Sequence, residues 1–308
     1  MESQLVRAGA TPPPAVRLVE AFLAGRNPRT IQAYKQDLED FRAYTETDAL
    51  DTAARLLLAH GHGAANAIAL GYKAAMLDRG LSAASINRRL AALRSLVKLA
   101  RMLGMVPWTL EVQNLKSVPY RDTRGPGRQG FSKMLAALEA RGDRKAIRDR
   151  AIVRLLYDLG LRRAEVCSLD IEDVDLVGGA IEVLGKGNTQ KIRLTLPPET
   201  KDALADWISA SGNTNGPVFT NFDRCGRRIT GKGLYLVIRK LGEVVGIEVR
   251  PHGLRHAAIT EALDVTGGDV RRVQKFSRHR DVRTLTTYDD NRTDMAGEVA
   301  KMVAANGK

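Results

Sequence analysis

Pro251-His252-Gly253-Leu254-Arg255-His256-Ala257-Ala258-Ile259 is the stretch from which the rest of the chain is read. Its proline has a φ already suited to the first turn of a helix. Leu254, Ala258 and Ile259 recur at helical spacing and give that helix a buried side. His252 and Arg255 stand three apart and therefore share a face. Taken alone, the pair reads equally well as a satisfied histidine beside a surface arginine. The flanking sequence has to decide.

Upstream, Ala146–Leu159 is an amphipathic pattern with Ile147, Ala151, Ile152, Leu155, Leu156 and Leu159 on one side, and Gly160 falls where a helix cap is expected. Arg162 follows where the chain must reverse, with Glu165 three residues on to hold it. The ordinary fate of such a pair is a surface ion pair of little worth. Residues 175–196 read as short strands joined by glycine turns, one of them Gly185-Lys186-Gly187-Asn188. A lysine in a turn is ordinarily just solvated. Downstream, Ser277-Arg278-His279 precedes a cap at Asp281 and a helix ending near Tyr288, nine residues after His279.

The first part of the chain reads as helical. Asn27-Pro28-Arg29-Thr30 opens a helix through Tyr34, Leu38 and Phe41, and two more follow over Ala53–Leu58 and Ala64–Arg79. The clearest runs from Ser82 to Leu103, with Ile86, Leu90, Leu93, Leu96, Val97 and Ala100 apolar and Gly104 at its end. It carries Arg88, Arg89, Arg94, Lys98 and Arg101 with no acidic residue between them. A basic run is usually a solvated helix face, but here no counter-charge sits on the same helix, which favours a phosphate-tracking face. Residues 115–130 hold two prolines, three glycines and Arg121, Arg124 and Arg128, without helical or alternating pattern. They read as an extended basic linker. The expected division is a helical unit over 1–114, the linker over 115–130 and a mixed helix and strand unit over 131–308.

The whole chain has 308 residues and a net charge of +13, of which +7 lies on residues 1–130. Hydrophobic residues at 44% exclude a disordered chain. No apolar run reaches the roughly 18 residues of a membrane span. Met1–Gly9 has no apolar core of the kind a secretory signal needs. Cys167 and Cys225 lack CxxC spacing, which argues against a disulfide framework or zinc cluster and for a cytoplasmic protein. The charge surplus points to a polyanion, nucleic acid before membrane.

In chain order the second unit offers Arg162 with Glu165, Lys186, His252-x-Leu254-Arg255-His256, His279 and Tyr288. This order and spacing resemble the tyrosine recombinase (phage integrase) family, of the simple Xer-like type, over almost the whole chain. The resemblance implies a mainly α fold with a small antiparallel β-sheet: an α-helical core-binding domain, then a mixed α+β catalytic domain. It implies that Arg162 and Arg255 clamp a scissile phosphate, a task for which guanidinium forks are suited. His252 and His279 would bond the same phosphate, Tyr288 would be the nucleophile, and Lys186 would protonate the departing 5′-hydroxyl. Glu165 supports Arg162. The implied product is a 3′-phosphotyrosyl link, rejoined without metal or ATP; no paired carboxylates for two-metal chemistry and no Walker loop are found. The implied partner is double-stranded DNA, bound by a homotetramer on two sites through a Holliday junction, with no membrane and no small-molecule substrate. DNA binding would fall to Arg88, Arg89, Arg94, Lys98, Arg101, Arg121, Arg124 and Arg128. A topoisomerase IB-like relaxer and a non-catalytic DNA-binding protein remain alternatives.

Two positions depart from the family pattern. Arg278 stands where glycine is usual, so that it either alters the pose of His279 or supplies a further phosphate contact. Ala257 and Ala258 stand where a hydroxyl is common, a change of packing. At the end of the chain, Met295, Val299, Met302 and Val303 lie on one side of a short helix, which packs on its own domain or docks into a neighbouring subunit.

Overall fold

The computed structural model describes residues 18–24, 28–116, 125–185, 189–222, 226–282, 285 and 295–305. The chain divides into two compact units, Met1–Pro119 and Tyr120–Lys308.

The described part of the first unit is built of helices: α1 (Leu18–Leu23), α2 (Pro28–Tyr44), α3 (Leu50–Ala59), α4 (Gly61–Asp78) and α5 (Ala83–Met102). The long helix α5 starts where Ser82 accepts the Ser85 N–H at 3.3 Å, and Gly104 at φ 74° lets the chain turn away after it. Ile86, Leu90, Leu93, Leu96, Val97 and Ala100 are buried, and α5 touches α1, α2 and α4. It is the axis of this unit because its apolar residues recur at three and four over five turns. Phe41, Tyr44 and Tyr72 form an aromatic cluster against it. Helix α1 was not anticipated from the sequence.

The second unit mixes helix and strand. Helix α6 (Gly127–Arg141) begins four residues inside the stretch read as linker. The Gly/Pro content there hides the onset of a helix whose Phe131, Met134, Leu135 and Leu138 are buried, with Phe131 stacked on Tyr157 at 3.9 Å. Helix α7 (Arg144–Tyr157), capped by Asp143, is the core element: Ala151, Ile152, Leu155 and Leu156 are buried, and it touches α6, α8 (Arg163–Ser168), α9 (Pro198–Ser211) and α11 (Pro251–Val265). Between α8 and α9 lies an antiparallel sheet in the order β1 (Val174–Asp175), β2 (Ala180–Leu184), β3 (Lys191–Thr195). Ile181 pairs with Leu194 and Val183 with Ile192, so one face of the hairpin joins the core. Helices α10 (Gly231–Val244), α12 (Val270–Ser277) and α13 (Met295–Ala305) complete the described elements. The sequence did not reveal α9 and α10, although each buries a row of side chains, Ala203, Leu204 and Trp207 in the one and Leu234, Ile238 and Leu241 in the other.

Cys167 is buried in this core. Among the described residues no helix is long and apolar enough to cross a membrane. Lys186, Arg121, Arg124, Cys225, Tyr288 and the stretch just before Tyr288 read as its helix lie largely outside the described residues. The side chains of Met295, Val299 and Met302 lie outside them too, while Val303 is 67% exposed.

Candidate active site

The site is assembled from three elements. The first follows α7. Gly160 has φ 52°, and a Cβ there would also come within 3.2 Å of the Phe276 ring. Both facts select glycine. The chain then enters α8 with Arg162 at the cap position, and the Glu165 carboxylate accepts the Arg162 backbone N–H at 2.9 Å and its guanidinium Nη1 at 2.7 Å. Arg162 therefore has its backbone and its side chain held by one residue. Its Nη2 donates to the backbone carbonyl of Arg278 at 3.1 Å.

Helix α11 supplies the second element, with Pro251 in its first turn as the sequence predicts. Arg255 is not on the solvent side. It is 1% exposed, and its guanidinium donates to the carbonyls of Gly160 and Ser277. One arginine so ties the α7–α8 turn to the end of α12. His252, a turn earlier, is exposed. Its Nε2 lies 2.6 Å from the Nε2 of His256, and the two rings meet edge to face. Only one proton fits between these nitrogens, so His252 and His256 must hold complementary tautomers.

The third element is the end of α12. His279 lies beyond it, with its Nε2 at 3.4 Å from Arg255 Nη2 and its carbonyl accepting from Gln274 at 3.1 Å. A guanidinium only donates, so Nε2 of His279 is the acceptor and the neutral ring carries its proton on Nδ1. Burial, then the charges of Arg255 and Arg162, push His279 down to about 4. Burial and the neighbouring His252 push His256 down to about 3. Both rings are thus neutral at physiological pH.

This has a consequence for stability. Unfolded, each histidine takes up a proton below about 6.5, whereas folded it does so only near 4 or 3, so stability should fall as pH drops through that window. His256→Gln is expected to lose less melting temperature between pH 7 and pH 4.5 than the wild type. Equal losses in the two proteins would remove His256 as a source of acid sensitivity.

Arg162, Arg255, His252 and His279 are thus brought together, and Glu165 stands behind Arg162 as the sequence predicts. Arg278 does not face outward as a further phosphate contact would. Its side chain is 10% exposed and turned inward, onto the carbonyls of Leu159, Phe276 and Gly160 and the Glu165 carboxylate. His256, which the sequence places in the motif without a role, and Gln274, which it does not single out, are further site residues. The adjacency of two histidines four apart on one helix was the available signal for the first.

The basic face of α5 is less open than the sequence implied. Arg88 pairs with Asp37 at 2.7 Å and Arg89 with Asp40 at 2.8 Å, so the counter-charges absent from α5 come from α2. Arg94 donates to the Val112 carbonyl and to Asn114. Lys98 and Arg101 are exposed, and Arg128 sits on α6 paired with Glu261 at 2.8 Å. Helix α12 carries Arg271, Arg272 and Lys275 exposed, Arg272 paired with Asp269 at 3.1 Å, a basic surface missed from sequence.

Comparison with known proteins bears on the family and the fold. The phage integrase family model matches residues 129–295, and the model of the phage integrase N-terminal SAM-like domain matches residues 20–102. A tyrosine recombinase of Synechococcus elongatus is 40% identical over 288 residues, which cover 91% of this chain and 90% of the relative. The tyrosine recombinase XerC of Xylella fastidiosa is 30% identical over 88% of this chain and 91% of its own. Among solved structures, XerH site-specific recombinase bound to its palindromic difH substrate has a TM-score of 0.69 at 18% identity, covering 90% of this chain and 80% of that one. A lambda integrase dimer bound to a core site has a TM-score of 0.69 at 16% identity, covering 90% and 94%. These two share the fold, a helical core-binding unit followed by a catalytic unit with a small antiparallel sheet. Since the family model spans more than half of the chain and the cyanobacterial relative matches it nearly end to end, the chain belongs to the phage integrase family and is a tyrosine-type site-specific recombinase acting on DNA.

Proposed function

We propose that this recombinase cleaves one DNA strand by attack of the Tyr288 hydroxyl oxygen on a phosphorus held by Arg162 and Arg255. The convergence of two arginines with two neutral histidines, His252 and His279, carries the reading. The bond formed is phosphorus to tyrosine oxygen, and the bond broken is phosphorus to O5′. His252 takes the tyrosine proton and Lys186 gives one to the departing O5′, so charge balances across the step. The 3′-phosphotyrosyl link keeps the phosphoester energy, and attack by a 5′-hydroxyl rejoins the strand without metal or ATP.

The guanidiniums are suited to their role because they stay charged throughout and are fixed before substrate arrives, Arg255 by two backbone carbonyls and Arg162 by Glu165 and a carbonyl. Donors fixed in this way stabilise the charge that grows on the phosphoryl oxygens without having to reorganise. Neutral His279 adds no charge beside the phosphate. The grip on duplex DNA falls to Lys98 and Arg101 of the first unit, with Arg88, Arg89, Arg94, Arg121, Arg124 and Arg128 in support, and to the outward face of α12. The assembly proposed is a homotetramer on two DNA sites that passes through a Holliday junction, in the cytoplasm.

The test is a DNA substrate nicked next to the cleavage point, which traps the covalent adduct. The wild type is expected to form a protein–DNA adduct on its own site and a four-protomer complex on DNA carrying two sites. Tyr288→Phe should bind the same DNA but form none. Adduct from the phenylalanine variant would mean that another side chain is the nucleophile.

A further inference from the structure

Helix α12 ends on a residue whose backbone is unusual. Arg278 has φ 56° and ψ 37°, a left-handed conformation that a side chain keeps only where its surroundings hold it there. The surroundings do so. Its Nη1 donates to the carbonyls of Leu159 at 3.1 Å and Phe276 at 2.9 Å, and its Nη2 to the carbonyl of Gly160 at 3.0 Å and to Glu165 Oε2 at 3.1 Å. Its backbone carbonyl, aimed by that same conformation, accepts Arg162 Nη2 at 3.1 Å. Glu165 Oε1 accepts Arg162 Nη1 at 2.7 Å. Arg162, Glu165 and Arg278 therefore form a closed ring in which both side-chain anchors of Arg162 depend on Arg278, one through its backbone and the other through the carboxylate it pins.

We propose that Arg278 is the positioning residue for Arg162, setting the guanidinium in its phosphate-binding pose through Glu165 and through its own carbonyl. The proposal rests on the reading of Arg162 as a phosphate clamp. Arg278 does not contact the phosphate itself, because its guanidinium is turned inward and its donors go to three carbonyls and a carboxylate. A lysine there could reach Glu165 with one ammonium but could not span acceptors at the end of α7, in α8 and at the end of α12. A glycine would relax the backbone yet leave Leu159 O and Glu165 Oε2 without these donors. The same residue also shares Gly160 O with Arg255, so the anchoring of both phosphate-binding arginines meets at one carbonyl.

Glu165 supplies a readout that a purely structural role would not move. Among the described residues, the charged groups facing it are Arg278 from the end of α12 and Arg162 from the head of α8. Burial pushes its carboxyl up, but Arg278 and the bonds from Arg162 outweigh this and hold it below its usual value. Without Arg278, burial gains, the carboxyl takes up a proton at higher pH, and a protonated Glu165 grips Arg162 less firmly.

The experiment compares full-length wild type, Arg278→Gly, Arg278→Lys, Arg162→Ala and the double variant Arg162→Ala/Arg278→Gly on the nicked substrate, with melting temperatures measured first. Arg278→Gly is expected to bind DNA within about threefold of wild type and to form adduct about 10–100-fold more slowly, the range a misplaced catalytic group costs. Its rate should fall further on acidification to a pH at which the wild-type rate is unchanged. Arg278→Lys, which keeps a charge beside Glu165, should lie between the two and restore the wild-type pH profile. The double variant should be no slower than Arg162→Ala, because Arg278 acts through Arg162. Wild-type rate and pH profile in Arg278→Gly would overturn the proposal, as would fully multiplicative losses in the double variant. Should Arg278→Gly fail to fold, an Arg278→Lys variant that folds, binds and yet has a rate and pH profile indistinguishable from wild type would overturn it too. Wild-type cleavage by Arg162→Ala would instead strike down the phosphate-clamp reading on which it rests.

Discussion

Arg255→Ala is expected to slow adduct formation by about 10²–10³, the loss that accompanies removal of one fixed donor to a developing oxyanion. The effect should lie in the chemical step, because a buried side chain at 1% exposure adds little to the sequence-independent hold on duplex DNA. Stability should change far less. The substitution leaves Ser277 O without its guanidinium donor, whereas Gly160 O keeps the bond from Arg278. An unsatisfied buried carbonyl costs about 1–3 kcal/mol. Against that, it removes a buried cation from a cluster in which Arg162 and Arg278 are already paired to a single carboxylate. Arg255→Lys should also be slow, since one ammonium cannot reproduce a fork that spans two carbonyls and, in the proposed complex, a phosphate as well. Single-turnover trapping on the nicked substrate and thermal melting read the two quantities separately. Cleavage by Arg255→Ala within threefold of wild type would remove it from the phosphate site.

Glu165→Gln is expected to damage both stability and rate. The carboxylate is 2% exposed and faces two guanidiniums, one of them itself nine-tenths buried. Taking one partner from a buried pair leaves an uncompensated charge and costs about 3–5 kcal/mol. The amide keeps the shape but offers one acceptor oxygen where the carboxylate served Arg162 and Arg278 with two. Arg162 should therefore wander, and adduct formation should fall by about 10–100-fold even in the folded fraction. The pH dependence has a definite sign. The folded carboxyl lies below its usual value of 4.5, so its contribution is present above about 4.5 and is lost as pH falls through the folded value. The gap in melting temperature between wild type and variant should thus be widest near neutrality and narrow in acid. A gap that stays constant down to pH 3 would mean that shape rather than charge is what Glu165 supplies.

The charged residues of α5 show how far a one-dimensional reading reaches. Five basic residues with no acid between them looked unpaired in sequence, but Asp37 and Asp40, about fifty positions earlier, neutralise Arg88 and Arg89. Pairing across helices has no local signature. Arg278 makes the same point at the active site. Its neighbours in sequence say only that the chain turns there, while three of its four side-chain partners, Leu159, Gly160 and Glu165, lie 113 to 119 residues away. The linker prediction failed at Gly127 for a different reason: composition dominated by glycine and proline hides a helix that is held in place by packing, here Phe131 on Tyr157.

The helical periodicities, the glycine turn at Gly160, the helix opening at Pro251 and the pairing of Arg162 with Glu165 are legible in the sequence alone, because each depends on residues within one or two turns of one another. Only the tertiary structure decided that Arg255 is buried and bound to two carbonyls, that His252 and His256 share one proton between them, and that Arg278 faces inward. Those features come from groups far apart in sequence competing for the same few hydrogen-bond acceptors in a small buried space, and that competition is settled when the end of α7, α11 and the end of α12 pack together.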